Sequence, residues 1–283
     1  MNRPWVKTAA RLGLLALRTA AVVYLLVLLV LLLLENTLLY PAPKFPEGDW
    51  DAAYLPHEDV NFTSADGTQL HGWLVEHPQP RAAVLYLHGN GDCVGYLGPY
   101  LQQLRDNHQL TIFAFDYRGY GKSAGSPGEQ GILEDSHAAQ LWLAERLKLQ
   151  PADIVLMGRS LGGGVAVDLA ANNGARGLVL QSTFTSLPDA AACLYPWAPV
   201  KWLMKNRYDS LSKIGRYPGS VLMSHGTTDE LVPCNLGRKL YDAIPGPKQF
   251  FDLPGGHNDE ESPEYYQALD EFLGRLPPLS SDL

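Results

Sequence analysis

The sequence of 283 residues predicts an α/β fold, namely a doubly wound, mostly parallel sheet with helices on both faces and a small cap, preceded by one transmembrane helix. Short apolar runs of the kind buried in parallel sheets alternate with segments of helical periodicity almost to the C-terminus. One interval rich in proline and aromatic residues breaks this alternation, and a leucine-rich run lies near the N-terminus. These observations predict the sheet, the cap and the membrane span, in that order.

The strands and helices follow one another in a regular order. The segments 58–64 and 69–77, separated by the turn residues ADGT, predict a hairpin. Continuous apolar runs then predict buried parallel strands at 81–89, 110–119, 153–158, 176–183, 220–226 and 248–255. Segments of helical periodicity predict helices at 95–108, 133–149, 161–173, 235–244 and 262–276. This alternation predicts one large domain over residues 58–283.

The interval that breaks the alternation covers approximately residues 183–217 and includes LYPWAPVKWLMKNRYDSL. We expect it to form a small cap over the carboxyl ends of the strands. The alternative is a long surface loop with one helix of its own.

Residues 1–40 are expected to hold a short N-terminus and a membrane span. From residue 20 to residue 34 Tyr24 is the only polar side chain, and the apolar segment counted from Leu12 contains one charge, Arg18. No small-residue cleavage site follows the apolar core, so an uncleaved signal anchor is favoured over a cleaved signal peptide. Residues 41–57, rich in Pro, Gly and Asp, are expected to form a short tether.

The distribution of basic residues predicts the orientation of the span. Four basic residues precede it and only Lys44 follows closely, which predicts a cytoplasmic N-terminus and a main domain on the periplasmic or extracellular side. The four are Arg3, Lys7, Arg11 and Arg18. Without these four and Glu35, the chain has 18 basic and 29 acidic residues, about −11 in net charge. So acidic a body argues against a nucleic-acid partner.

The sequence contains three cysteines, Cys93, Cys193 and Cys234. They are too few for a disulfide framework, and their wide spacing matches no metal site. We expect them to be unpaired, although a bond from Cys93 to either of the others stays open at this point.

The segment VLMGRSLGGGVAV at 155–167 places Ser160 among four glycines, between a predicted strand and a predicted helix. A serine at such a junction occupies a sharp, strained turn that presents its hydroxyl at the carboxyl edge of the sheet. Gly158 and Gly162 supply positions without Cβ where strand and helix would otherwise collide. For this motif alone, a glycine turn without chemistry is the alternative.

Two further side chains are expected at the same edge, because Asp229 and His257 each lie just beyond the end of a predicted strand. A serine nucleophile needs a base to accept its proton, and that base needs a carboxylate to fix its tautomer. The order Ser160, Asp229, His257 is the one associated with this kind of turn. His225, which also ends a strand, is expected to support the site by packing.

An oxyanion needs preorganised hydrogen-bond donors near the serine. The glycine-rich segment after the strand at 81–89 can supply the backbone N–H of Asn90, and the residue after the serine can supply that of Leu161. We expect His88 to hold this loop by hydrogen bonds rather than to react.

Five motifs occur in the expected order, LHGNGD, FDYRGYGKSAGSPGE, GRSLGG, HGTTDELVP and GGHND. Together they resemble the α/β-hydrolase superfamily, in particular the branch of the ABHD-type depalmitoylases and related bacterial membrane-anchored hydrolases. The resemblance extends roughly from Val60 to Leu276. It implies that Ser160 is the nucleophile, Asp229 the acid and His257 the base.

The same resemblance implies that DYRGYGKS is a structural loop near the site, in which Asp116 and Arg118 make buried pairs. Members of the superfamily include esterases, thioesterases, lipases and prolyl-aminopeptidase-like peptidases, and the fold does not choose among them.

The leading functional hypothesis is a membrane-anchored serine hydrolase that cleaves acyl esters or thioesters through an acyl-enzyme, without a metal or other cofactor. The first alternative is a serine peptidase, which needs acidic cap residues for the substrate amine. The cap offers two acidic residues against five basic ones, which are Asp189 and Asp209 against Lys201, Lys205, Arg207, Lys213 and Arg216. The second alternative is a non-catalytic, membrane-tethered binding module.

Overall fold

The computed structural model describes residues 4–259 and 261–279 and contains one eight-stranded sheet. The strands are β1 (Glu58–Thr63), β2 (Gln69–Val75), β3 (Ala82–Leu87), β4 (Leu110–Asp116), β5 (Val155–Arg159), β6 (Gly177–Gln181), β7 (Val221–Gly226) and β8 (Lys248–Leu253). Their order across the sheet is β1-β2-β4-β3-β5-β6-β7-β8. β2 is antiparallel to β1 and β4, and all other neighbours are parallel. The predicted doubly wound, mostly parallel sheet is confirmed.

Along the described residues, two helices precede β1, one follows β8, and the others lie between strands. The helices are α1 (Pro4–Leu33), α2 (Glu35–Leu39), α3 (Val94–His108), α4 (Glu129–Leu147), α5 (Leu161–Asn173), α6 (Leu187–Leu194), α7 (Val200–Leu203), α8 (Ser210–Ile214), α9 (Cys234–Asp242) and α10 (Pro263–Gly274). The five helices predicted in the domain correspond to α3, α4, α5, α9 and α10, and their predicted boundaries lie within four residues of the observed ones. The interval 183–217 contains three short helices, α6 to α8.

The core has two layers, one on each face of the sheet. Successive strand residues point to opposite faces, so Leu85 and Phe113 pack in one layer whereas Tyr86 and Ile112 pack in the other. Helices α4 and α5 cover the first layer, and α3 and α10 cover the second. Because both faces are covered, the central strands read as continuous apolar runs, the pattern from which they were predicted.

Helix α1 is long and apolar, as predicted. Its segment Arg11–Leu33 is 23 residues long with a mean hydropathy of 2.6, and its most apolar part is not buried against the rest of the protein. By length and composition this helix can cross a membrane. The spanning itself stays a prediction.

The segment 41–57, expected to be a tether, packs against the domain over much of its length. The backbone N–H of Asp49 donates to the Gly95 carbonyl at 2.7 Å, and Leu55 is buried. Trp50 lies edge-on to Trp73, with ring centroids 6.1 Å apart. The apolar area of these side chains offsets the entropy of ordering the segment, a gain that its Pro, Gly and Asp content did not indicate.

A buried polar network joins the end of the apolar helix to residues 205 and 206, within the interval 183–217. The Glu35 carboxylate accepts hydrogen bonds from the backbone N–H of Lys205 (3.0 Å) and of Asn206 (2.9 Å), and from the Asn206 side-chain amide (2.8 Å). The buried hydroxyl of Tyr40 donates to Asn206 Oδ1 at 2.7 Å. These bonds fix the position of α2 relative to residues 205–206.

The three cysteines are free, as expected. Cys93 is buried and Cys193 is exposed. Burial, with the nearby Asp116 carboxylate as a smaller contribution, raises the pKa of the Cys93 thiol to about 12.

Candidate active site

Ser160 lies at the sharp turn between β5 and α5, with a φ of +52° and a ψ of −115°. A non-glycine residue with such a φ is strained, and the surrounding packing must hold it there. A Cβ added to Gly162 would lie 2.0 Å from the Leu87 carbonyl oxygen, and one added to Gly158 would lie 2.3 Å from the Gly162 oxygen. Both positions therefore require glycine, as the sequence indicated.

The structure brings Ser160, His257 and Asp229 together at the carboxyl edge of the sheet. His257 Nε2 lies 2.9 Å from Ser160 Oγ, and His257 Nδ1 lies 2.7 Å from Asp229 Oδ2. An ionised carboxylate only accepts hydrogen bonds, so Nδ1 carries the proton and Nε2 is left to accept one from the serine hydroxyl. This arrangement can move a proton from Ser160 to His257.

Asp229 is held as an anion by donors on several sides. Its Oδ1 accepts from the backbone N–H of Leu231 at 2.9 Å and of Val232 at 2.8 Å. His225 Nε2 lies 3.2 Å from its Oδ2 and 2.7 Å from the Val232 carbonyl. Burial opposes ionisation, yet the hydrogen bonds from His225, His257 and Val232 hold the pKa of Asp229 well below its usual range. His225 thus supports the site, the position expected for it.

The loop after β3 passes beside the serine, because a Cβ added to Gly89 would lie 3.8 Å from Ser160 Cβ. The Asn90 side chain is fixed on both sides. Its Oδ1 accepts from the Tyr120 hydroxyl at 2.6 Å, and its Nδ2 donates to the Leu39 carbonyl at the end of α2. With the side chain engaged in this way, the backbone N–H of Asn90 stays a proposed oxyanion donor.

Leu161 is the first residue of α5, so its backbone N–H has no partner within the helix. It is the second proposed oxyanion donor. The partial positive charge at this helix end also favours a nearby anion.

His88 contacts its own loop and Tyr117, and it makes no hydrogen bond to Ser160 or His257 in the described residues. Its Nδ1 lies 2.8 Å from the Gly89 carbonyl, and its ring packs on Tyr117 at 4.1 Å between centroids. Burial lowers the pKa of His88 and keeps the ring neutral.

The segment DYRGYGKS contains two separate polar networks, and its Asp116 and Arg118 pair with other residues. Arg118 binds the buried Asp135 of α4, with Nη2 and Oδ1 2.7 Å apart. Asp116 accepts from the backbone N–H of Val94 at 2.9 Å. The expectation of buried pairing holds for both residues, but motif inspection did not find Asp135, which lies in a helix without a recognisable signature.

Sequence reasoning also missed two residues that support the serine and the histidine. The Arg159 guanidinium donates to the His257 carbonyl at 3.0 Å, and the Thr183 hydroxyl donates to the Ser160 carbonyl at 2.9 Å. Arg159 directly precedes the serine, so its place in the motif was a usable signal. Thr183 follows the adjacent strand β6, and its contact is evident only once the strand order is known.

The α/β-hydrolase class is defined by a strained serine between a strand and a helix, a histidine that is hydrogen-bonded to this serine, and an aspartate that is hydrogen-bonded to the histidine, the last two lying beyond later strands of the sheet. The family model for serine aminopeptidase, S33, matches residues 78–214. The chain belongs to the α/β-hydrolase superfamily, which a relative at least 30% identical to it also represents.

The chain is similar to relatives in bacteria and plants. An uncharacterised protein of Mycobacterium tuberculosis strain H37Rv is 40% identical over 207 residues, which cover 72% of this chain and 73% of that protein. The α/β-hydrolase domain-containing protein WAV2 of Arabidopsis thaliana is 30% identical over 250 residues, covering 79% and 80%. The solved structure of the Pyrococcus furiosus esterase Pf2001 matches with a TM-score of 0.68 at 21% identity, covering 83% of this chain and 99% of that one.

The pKa of Asp229 predicts a pH-dependent contribution to stability. A carboxyl whose pKa is lower in the folded than in the unfolded protein stabilises the fold above about pH 4, and this contribution is lost as the pH falls through the folded pKa. Asp229→Asn is therefore expected to lower the free energy of unfolding by roughly 1–3 kcal/mol at pH 7 and by clearly less near pH 3.

Urea unfolding midpoints at both pH values measure this difference. Asp242→Asn, which changes an exposed carboxylate, serves as the control and is expected to shift stability by less than about 0.5 kcal/mol at either pH. An Asp229→Asn effect of equal size at both pH values would contradict the assignment of an ionised Asp229.

Proposed function

We propose that this chain is a membrane-anchored serine hydrolase that cleaves carboxylic acyl esters or thioesters through an acyl-enzyme. The observation that carries the proposal is the continuous hydrogen-bonded connection from Ser160 Oγ through His257 to Asp229. Residues 1–40 are assigned as cytoplasmic N-terminus and signal anchor and residues 58–283 as the catalytic domain, with a cap at approximately 183–217. Residues 41–57 connect anchor and domain.

In the acylation step, Ser160 Oγ attacks the substrate carbonyl carbon while His257 Nε2 takes the hydroxyl proton. The backbone N–H groups of Asn90 and Leu161 stabilise the resulting oxyanion. The intermediate then expels the alcohol or thiol, which receives the proton from His257. Asp229 keeps His257 in the required tautomer and stabilises its protonated form.

In the deacylation step, a water molecule attacks the acyl-enzyme and gives a proton to His257. The bond from the acyl carbon to Ser160 Oγ breaks, Oγ takes the proton from His257 and the carboxylic acid leaves, so the cycle has consumed one ester or thioester and one water and regenerated the enzyme. Neither step calls for a metal or another cofactor.

The second candidate is a serine aminopeptidase, because that is the description of the matching family. Such an enzyme binds the ammonium group of its substrate with carboxylates. Both acidic residues of the cap are engaged elsewhere, since Asp189 pairs with Lys201 at 2.6 Å and Asp209 accepts from the Ser212 N–H at 3.2 Å. These contacts favour the ester reaction, as does the esterase description of the structural neighbour.

The first prediction concerns the nucleophile. Ser160→Ala is expected to abolish labelling by a fluorophosphonate probe and to lower turnover of a p-nitrophenyl ester by roughly a million-fold, because the three residues act as one unit. Ser212→Ala, a serine of the cap, is expected to label like the unmodified protein. Undiminished labelling of Ser160→Ala would refute the assignment, and an unmodified chain that never labels would support the binding-module alternative.

The second prediction separates the two enzyme classes. Purified full-length protein is expected to hydrolyse p-nitrophenyl acyl esters and acyl thioesters with a kcat/KM at least about a hundredfold above that for aminoacyl p-nitroanilides, since each unmet polar group in a mismatched site weakens transition-state binding. The anilides test the aminopeptidase directly. A preference for proline anilide over every ester would establish the peptidase instead.

The third prediction concerns orientation in the membrane. In a background of Cys193→Ser and Cys234→Ser, Glu145→Cys is expected to react with a membrane-impermeant maleimide in intact spheroplasts. Lys7→Cys is expected to react only after permeabilisation, because the basic residues before the span keep the N-terminus in the cytoplasm. The buried Cys93 thiol, with a pKa of about 12, gives little background. The reverse labelling pattern would overturn the proposed topology.

A further inference from the structure

The outer end of the cap presents apolar side chains to the surroundings. We call residues 194–203 the cap tip. Leu194 is 42% exposed, Tyr195 51%, Trp197 52% and Trp202 86%. Four large apolar or aromatic side chains within nine positions of one another form a patch of the kind that marks a protein or membrane contact.

Two contacts fix the cap along the apolar helix. The Tyr24 hydroxyl donates to the Trp197 carbonyl at 3.0 Å, and the two rings meet edge to face with centroids 6.4 Å apart. Further along, Glu35 binds the backbone of Lys205 and Asn206. Glu35 lies eleven positions after Tyr24, which at the helical rise is a distance of about 16 Å along the axis. The cap tip therefore lies at the level of Tyr24 and the base of the cap at the level of Glu35.

These levels can be compared with the dimensions of a bilayer. Tyr24 precedes Leu33, the end of the apolar segment, by nine residues, or about 14 Å along the helix. One leaflet contributes about 15 Å of hydrocarbon. We propose that the cap tip inserts into the hydrocarbon of the leaflet on the side of the catalytic domain. The inference rests on the proposed anchor, because it requires α1 to span the membrane.

The polarity of the cap side chains changes in the same direction, from charged residues at the level of Glu35 to apolar residues at the level of Tyr24. Lys205 and Arg207, both exposed, lie at the base of the cap, where lipid headgroups are expected. Lys201 is the one charged residue of the cap tip, and it pairs with Asp189 at 2.6 Å.

The backbone of the cap tip is also suited to an apolar medium, in which each unpaired N–H is costly. Pro196 and Pro199 have no N–H. Several of the remaining backbone N–H groups donate to carbonyls within the cap tip or directly before it. These pairs are Tyr195 to Ala191, Ala198 to Tyr195, Val200 to Ala198, and Trp202 and Leu203 to Pro199.

Insertion at this depth would place the site next to the lipid surface. The Asn90 side chain donates to the carbonyl of Leu39, four residues beyond Glu35, and a Cβ added to Gly91 would lie 3.9 Å from Pro41. The loop beside Ser160 thus contacts residues 39–41, the segment at which the chain would leave the membrane. The substrate class that fits this position is an acyl lipid taken from the leaflet itself.

Nitroxide depth measurements test the insertion on the full chain in phosphatidylcholine vesicles. A spin label is placed at Trp202→Cys in the background of Cys193→Ser and Cys234→Ser, and its accessibility to oxygen is compared with that to a water-soluble nickel chelate. Leu26→Cys in α1 reports the anchor itself. Glu145→Cys is the aqueous control, because it lies sixteen residues along α4 from Glu129, which binds the cap, and is about 24 Å away.

The expected result is that labels at positions 26 and 202 are both accessible to oxygen and protected from nickel, whereas the label at 145 shows the opposite. A lipid-buried position 26 with a water-exposed position 202 would overturn the insertion and leave the anchor intact. A water-exposed position 26 would refute the anchor, and the insertion with it.

An activity measurement provides a second test. Trp202→Glu is expected to lower hydrolysis of a long-chain ester embedded in vesicles by about tenfold, because a charge at this depth opposes insertion. Hydrolysis of soluble p-nitrophenyl acetate is expected to stay within about twofold, which shows that the variant is folded, and Trp202→Phe is expected to match the unmodified protein. Equal losses on both esters from Trp202→Glu would overturn the proposal.

Discussion

The close approach of α5 to β3 is the constraint on which the site depends. Gly162 lies so near the Leu87 and His88 carbonyls that a Cβ would be 2.0 Å and 2.6 Å from them. This close contact lets the helix start directly above the strand ends, where Ser160 has its strained backbone conformation with a φ of +52°. The same contact brings the serine beside Gly89, so the hydroxyl and the proposed oxyanion loop are positioned together.

Hydrogen bonds to the Asp229 carboxylate determine the orientation of His257 beside the serine. The Asp229 carboxylate receives donors from the loop after β7 and from two histidines, and these donors favour its ionised form. A fixed anion orients His257, whose backbone carbonyl is also held by Arg159. The side chain and the backbone of His257 are thus both held in place, and proton transfer requires this preorganisation.

The apolar helix is joined to the domain through polar contacts rather than through a free linker. Glu35 and Tyr40 bind Asn206, and Leu39 binds Asn90, so the exit from the helix contacts both the cap and the loop beside the serine. Buried hydrogen bonds of this kind are costly to break, because a buried polar group that loses a partner is left partly unsatisfied. Such a connection gives the domain a fixed distance and orientation relative to the apolar helix.

The amino-acid pattern by itself determined the elements and the three residues of the site. Strand runs such as 153–158 and helices such as 161–173 are visible because periodicity and apolar continuity are local properties. Ser160, Asp229 and His257 could be grouped in advance because the carboxyl ends of parallel strands share one edge, whatever the order of the strands.

Only the tertiary structure decided which distant polar groups meet. Arg118 binds Asp135 rather than a residue of its own motif, Thr183 reaches Ser160 from a neighbouring strand, and Glu35 binds the backbone of residue 206. Each of these bonds depends on the order of the strands and the placement of the helices. The spacing of the bonded residues along the chain encodes neither the strand order nor the helix placement. The packing of Trp50 was hidden for the same reason, because an apolar side chain in an irregular segment gives no periodic signal and is ordered only by the surface against which it lies.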